Sequence, residues 1–167
     1  MRPPFGGPVV VWRLDKATHA GGWDSGEGAF RCGGRWNGRG VRAVYCALDP
    51  ATAILEVAVH TGFKTLDTVR HVLTAATLAD PADIFVVNAT DLPNPNWLVP
   101  GHPSARQMAF GADLLRRHKF LAIPSVVSRH SWNLIFERLG AADRYRLEFQ
   151  EPFGLDGRLH PPPSKQS

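Results

Sequence analysis

Short apolar runs broken by polar and glycine-rich stretches fill most of the chain, and two longer segments carry a helical period. Residues 9–14 ("VVVWRL") and 42–47 ("RAVYCA") combine β-branched and aromatic side chains over strand length and predict strands. In "LDPATAILEVAVHTG" the residues Ile54, Val57, Ala58 and Thr61 fall on one helical face. Asp49 is a good N-cap there, Pro50 suits the first helical position, and Gly62 supplies a stop. A second helix is predicted from a Ser104 cap to about His118, and residues 68–74, 83–88, 120–128, 133–137 and 144–149 read as further strands. Strands outnumber helices without alternating with them, so the pattern predicts an α+β fold rather than a doubly wound sheet. It places one domain over residues 9–159, with Pro- and Gly-rich residues 1–8 and the tail 160–167 as flexible ends.

Composition narrows the class. The chain has 167 residues, enough for one ordinary core. No apolar run reaches the roughly 18 residues of a membrane span, and the N-terminal stretch lacks the apolar core and cleavage site of a signal peptide. Two cysteines, Cys32 and Cys46, do not make a disulfide framework, so a reducing cytoplasm is expected. The net charge of +4 suits anionic partners. The basic residues are scattered, however, and the densest cluster is Arg116-Arg117-His118-Lys119, which argues against a nucleic-acid stripe.

Candidate chemistry gathers in the first third. Eight of the sixteen glycines lie in residues 21–40, and "GGRWNGRG" sets Arg35, Trp36 and Asn37 among them. The spacing matches neither a dinucleotide fingerprint nor a P-loop, so a structural turn competes with an anion-binding loop in which the Arg35 fork meets phosphate. Tyr45 reads equally as a core aromatic. Glu56 stands mid-helix between Leu55 and Val57, where a carboxylate needs a partner: an ion pair with an arginine, or a catalytic task. Glu56 and His60 share an i, i+4 spacing, but no metal motif accompanies them and no metal site is expected. Ser125 in "IPSVVS" has no nucleophile-elbow context and is by default a structural strand-edge serine.

Taken in order, "VWRL", "GEGAFRCGGRWNGRGVRAVYCALDPATAILEVAVH", "DLPNPNW", "IPSVVSRHSWNLIFE" and "PFGLDGRL" resemble the successive signatures of the RES domain, from about Val11 to Leu159. Tyr45 follows Arg35 by ten residues, and Glu56 follows Tyr45 by eleven. That resemblance implies a compact fold similar to the ADP-ribosyltransferases and the toxin half of a RES–Xre toxin–antitoxin pair. It implies NAD as substrate, cleaved by hydrolysis or by phosphorolysis with inorganic phosphate. It also implies a cognate Xre-type antitoxin that covers the active site and provides the only link to nucleic acid. Some members modify a protein instead. The family's arginine, tyrosine, glutamate and serine fall on Arg35, Tyr45, Glu56 and Ser125, and a following asparagine on Asn133. Many members continue with Asn-Pro-x-His where this chain has "FERLG" at 136–140.

The roles implied are a carboxylate at Glu56 beneath an oxocarbenium-like ribose and an Arg35 grip on pyrophosphate aided by glycine N–H groups. Trp36 and Asn37 beside Arg35, with Asn133, complete the expected substrate contacts. Tyr45 would stack on nicotinamide, and Ser125 would bond the substrate or orient Glu56. Two other classes stay open: a ribonuclease toxin, which needs a general acid–base pair, and a catalytically inactive binding module.

Overall fold

The structure is a computed structural model and describes residues 7–101 and 103–162. Of the expected flexible ends, residues 1–6 and 163–167 lie outside the described residues. The described chain forms seven strands, β1 (Val10–Lys16), β2 (Ala43–Ala47), β3 (His71–Leu78), β4 (Ile84–Val86), β5 (Phe120–Pro124), β6 (Trp132–Glu137) and β7 (Tyr145–Phe153). Four α-helices accompany them, α1 (Glu27–Cys32), α2 (Pro50–Thr61), α3 (Phe63–Thr68) and α4 (Ala105–Arg117). The strands make one sheet in the order β4-β5-β6-β2-β1-β3-β7. Only the β4–β5 pair is parallel. This is the expected α+β class.

Both long helices begin where the sequence places them. Asp49 accepts hydrogen bonds from the Thr52 N–H at 2.8 Å and the Thr52 hydroxyl at 2.6 Å. Gly62 closes α2 with φ 77°, a left-handed conformation that favours glycine. Ser104 caps α4 by accepting from the Gln107 N–H at 3.2 Å. The expected strand at 68–74 begins later, at His71, because Thr68 ends α3. The expected strand at 120–128 stops at Pro124, which has no N–H to continue the ladder.

Alternation divides the sheet into two faces. Val44, Cys46, Leu134, Phe136 and Phe120 pack into one cluster with Val11 and Trp23. The neighbouring residues Ala43, Leu121, Ile123 and Ile135 turn the other way, under α4 and the tryptophans Trp36 and Trp97. Tyr45 packs against this second cluster. Trp12 and Leu14 of β1 meet Ile54, Val57 and Ala58 of α2. Three positions of the helical stripe read from sequence dock α2, while the fourth, Thr61, is exposed and donates its hydroxyl to the Val57 carbonyl. Gly111 lets α4 approach the glycine loop: a Cβ there would lie 2.2 Å from the Trp36 carbonyl oxygen.

Candidate active site

Glu56 projects from the middle of α2 and lines a cavity of about 1080 Å³, slightly above the roughly 300–1,000 Å³ usual for small-molecule clefts. Its Oε1 accepts the Ser125 hydroxyl at 2.9 Å and the Asn133 side-chain amide at 2.6 Å. The partners are thus a hydroxyl and an amide, and among the described residues no arginine pairs with this carboxylate. Both donors act on one oxygen, which fixes the carboxylate plane and leaves Oε2 free of hydrogen bonds among the described residues.

Asn133 sits near the start of β6 between Ile123 of β5 and Ala47 of β2, so sheet register sets its position. Ser125 follows β5 directly and is fully buried. Its hydroxyl meets Glu56 rather than lining the cavity.

Tyr45 lies at the centre of β2 and lines the same cavity. Its hydroxyl donates to Asn37 Oδ1 at 2.6 Å and accepts the Trp36 N–H at 3.1 Å. Burial pushes its phenol well above the ordinary tyrosine range, so the hydroxyl stays neutral. Asn37 is itself fully buried, and its amide nitrogen donates to the carbonyls of Ala29, Gly38 and Val41. Asn37, expected beside the substrate, does not line the cavity, and its amide group is used in shaping the loop. A Cβ on Gly34 would stand 2.6 Å from the Tyr45 hydroxyl, which explains glycine at that position.

Arg35 lines the cavity and bonds the segment 97–101, whose Pro100 and Gly101 line it too. Its guanidinium donates to the carbonyls of Trp97 at 3.2 Å, Val99 at 3.5 Å and Gly101 at 3.1 Å. Three bonds leave capacity among five N–H groups. The expected help from glycine N–H groups is largely taken up internally: Gly33 donates to Ala29, Gly34 to Asn37 and Gly40 to Phe30. Trp36 is buried to 2% exposure with its ring 5.9 Å from that of Trp97, so its side chain supports the cavity wall more than it presents a surface.

Leu55, Val59, Met108, Val126 and Val127 complete an apolar lining not assigned from sequence, and His60 joins them. The i, i+4 spacing of Glu56 and His60 was the available signal, and both do face the cavity. A smaller concavity of about 620 Å³ beside Tyr145 and Arg146 holds none of the candidate residues.

An α+β sheet with a carboxylate held over an apolar cleft beside an arginine-bearing glycine loop defines a class, and comparison with known proteins identifies it. Residues 10–156 match the RES domain, and the chain belongs to the RES domain family. It is 30% identical over 155 residues to Toxin Res of Photorhabdus laumondii, spanning 90% of this chain and 97% of that protein. It is 32% identical over 138 residues to the Prs ADP-ribosylating toxin of a Sphingobium species, spanning 74% of this chain and 79% of that one. Among solved structures it resembles a chain of the M. tuberculosis MbcT–MbcA toxin–antitoxin complex, with a TM-score of 0.72 and 19% identity over 89% of this chain and 85% of that chain. At that identity the likeness is one of fold.

Proposed function

We propose that this chain is the toxin of a toxin–antitoxin pair and breaks the nicotinamide–ribose bond of NAD. The observation that carries the reading is the Glu56 carboxylate, oriented through one oxygen by Ser125 and Asn133 on a side chain that lines the cavity. As the bond from C1′ to the pyridinium nitrogen lengthens, its electron pair leaves with nicotinamide, which becomes neutral. Positive charge then develops on C1′ and the ring oxygen of the ribose. A preoriented carboxylate stabilises that charge without reorganising.

The oxygen of water adds to C1′ and releases its proton, giving ADP-ribose; a phosphate oxygen in its place gives the 1-phosphate. The apolar lining suits a planar nicotinamide, and the Tyr45 ring supplies a stacking surface while its hydroxyl is held elsewhere. Arg35, with N–H capacity left at the cavity edge, suits the pyrophosphate. A second reading has a protein side chain as the acceptor, favoured by the identity to a relative named an ADP-ribosylating toxin. In either case an Xre-type antitoxin over the cleft would silence the reaction.

Incubating the purified chain with NAD, with and without phosphate, and measuring nicotinamide tests the proposal. Release by the wild type and its loss in Glu56→Gln are expected. Intact NAD alongside degraded cellular RNA would overturn it in favour of a ribonuclease.

A further inference from the structure

We infer that the hydroxyl pair of Ser128 and Ser131 is a positioning device for the Glu56 carboxylate. The inference rests on the reading of Glu56 given above and adds two residues that the family resemblance does not assign.

The segment 125–131 leaves β5 after Pro124 and re-enters the sheet at Trp132. Its two ends supply the two donors to Glu56. Ser125 is its first residue, and Asn133 lies two beyond its last; both donate to the same oxygen, Oε1. The β5–β6 register fixes Asn133, and the closure of the loop sets where the Ser125 hydroxyl stands beside it.

Closure runs through serines at every third position. The Ser125 N–H donates to the Ser131 carbonyl at 2.9 Å, and the Ser131 N–H to the Ser128 carbonyl at 2.8 Å. The Ser128 N–H donates to Ser125 Oγ at 3.1 Å. That bond occupies a lone pair of the Ser125 hydroxyl and directs its proton toward Glu56. The hydroxyls of Ser128 and Ser131 then join at 2.8 Å, tying the middle of the loop to its end. The same loop carries Val126 and Val127, so one closure sets both the carboxylate and the apolar wall beside it. Ser128 and Ser131 are half-buried, away from the cavity lining, and act through Ser125 and Asn133.

Alanine at 128 or 131 removes a hydroxyl and leaves every backbone bond of the loop available, so the variants should fold. Misplacing a catalytic group by about 1 Å costs about 100-fold, and a partial loosening should lower kcat about tenfold. The expected result is that Ser128→Ala, Ser131→Ala and the double variant lose kcat alike, with KM nearly unchanged, because each breaks the same bond. Ser128→Thr should restore activity. A readout independent of NAD accompanies this: the side-chain amide resonance of Asn133 in 15N-labelled protein, assigned by its loss in Asn133→Ala. It should exchange faster with solvent in the alanine variants and recover in Ser128→Thr. If the wild type releases no nicotinamide, the proposed reaction fails while the amide signal still decides the positioning. Unchanged amide exchange in both single variants, or additive losses in the double variant, would overturn the inference.

Discussion

The Tyr45 hydroxyl and the Asn37 amide close on each other inside the protein at 2.6 Å. The bond joins the centre of β2 to the glycine loop and leaves the tyrosine ring, rather than its oxygen, for the cavity. Replacing Tyr45 by Phe should strand the Asn37 carbonyl oxygen and the Trp36 N–H, groups whose loss of partners costs about 1–3 kcal/mol when buried. Urea unfolding should show that loss, while turnover per folded molecule falls little because the stacking surface remains. An unchanged denaturation midpoint with abolished turnover would instead place the hydroxyl in the chemistry.

Glu56→Gln separates charge from shape. Its amide oxygen can still accept from Ser125 and Asn133, so thermal stability should hold. NAD cleavage should fall about 10²–10³-fold, the usual loss for one preorganised electrostatic group. Unfolding and nicotinamide release measured on one preparation decide the matter; a destabilised variant with normal turnover would end the assignment.

For Arg35→Lys the charge stays and the fork goes. The guanidinium spans the carbonyls of Trp97 and Gly101 at once, which a single ammonium nitrogen does poorly. NAD affinity should drop about tenfold, equivalent to roughly 1.4 kcal/mol. Calorimetric titration with ADP-ribose, which keeps the pyrophosphate and lacks nicotinamide, should show the same drop. Wild-type affinity for ADP-ribose would remove the phosphate role.

Alkaline pH should destabilise the protein in a defined window. Burial raises the Cys46 thiol from 9.0 to about 12, and burial together with the Asp24 hydrogen bond raises Tyr145 above its ordinary 10.0. Tyr45 is raised likewise by burial. The unfolded chain releases these protons near their ordinary values while the folded chain keeps them. Above about pH 9 the unfolded state therefore binds fewer protons, and stability declines as pH rises toward the folded values. Urea midpoints between about pH 8 and about pH 10.5 should fall steadily, and Tyr145→Phe should flatten the slope.

The features legible in the sequence are those that neighbouring residues decide. Asp49, Pro50 and Gly62 bound α2 because caps act within one turn, and the stripe through Ile54, Val57 and Ala58 shows its buried face. β2 is legible as a short apolar run with Val44 and Tyr45 at its centre. The six-residue helices α1 and α3 are too short to display a period, and β7 continues through Pro152 because an edge strand tolerates a missing donor. Family resemblance pointed to Arg35, Tyr45, Glu56, Ser125 and Asn133 as a group, but not to what each one touches. Ser125 and Asn133 stand 69 and 77 residues from Glu56, and the carbonyls that meet Arg35 are 62–66 residues away. The antiparallel register of β5, β6 and β2, with α2 packed against the sheet, brings Ser125 and Asn133 to Glu56, and the packing of Trp36 on Trp97 brings Arg35 to those carbonyls. Residue type thus settled which groups could do chemistry, and the tertiary fold decided which face the cavity, as Glu56 does, and which, like Asn37 and Ser125, are buried to hold the others in place.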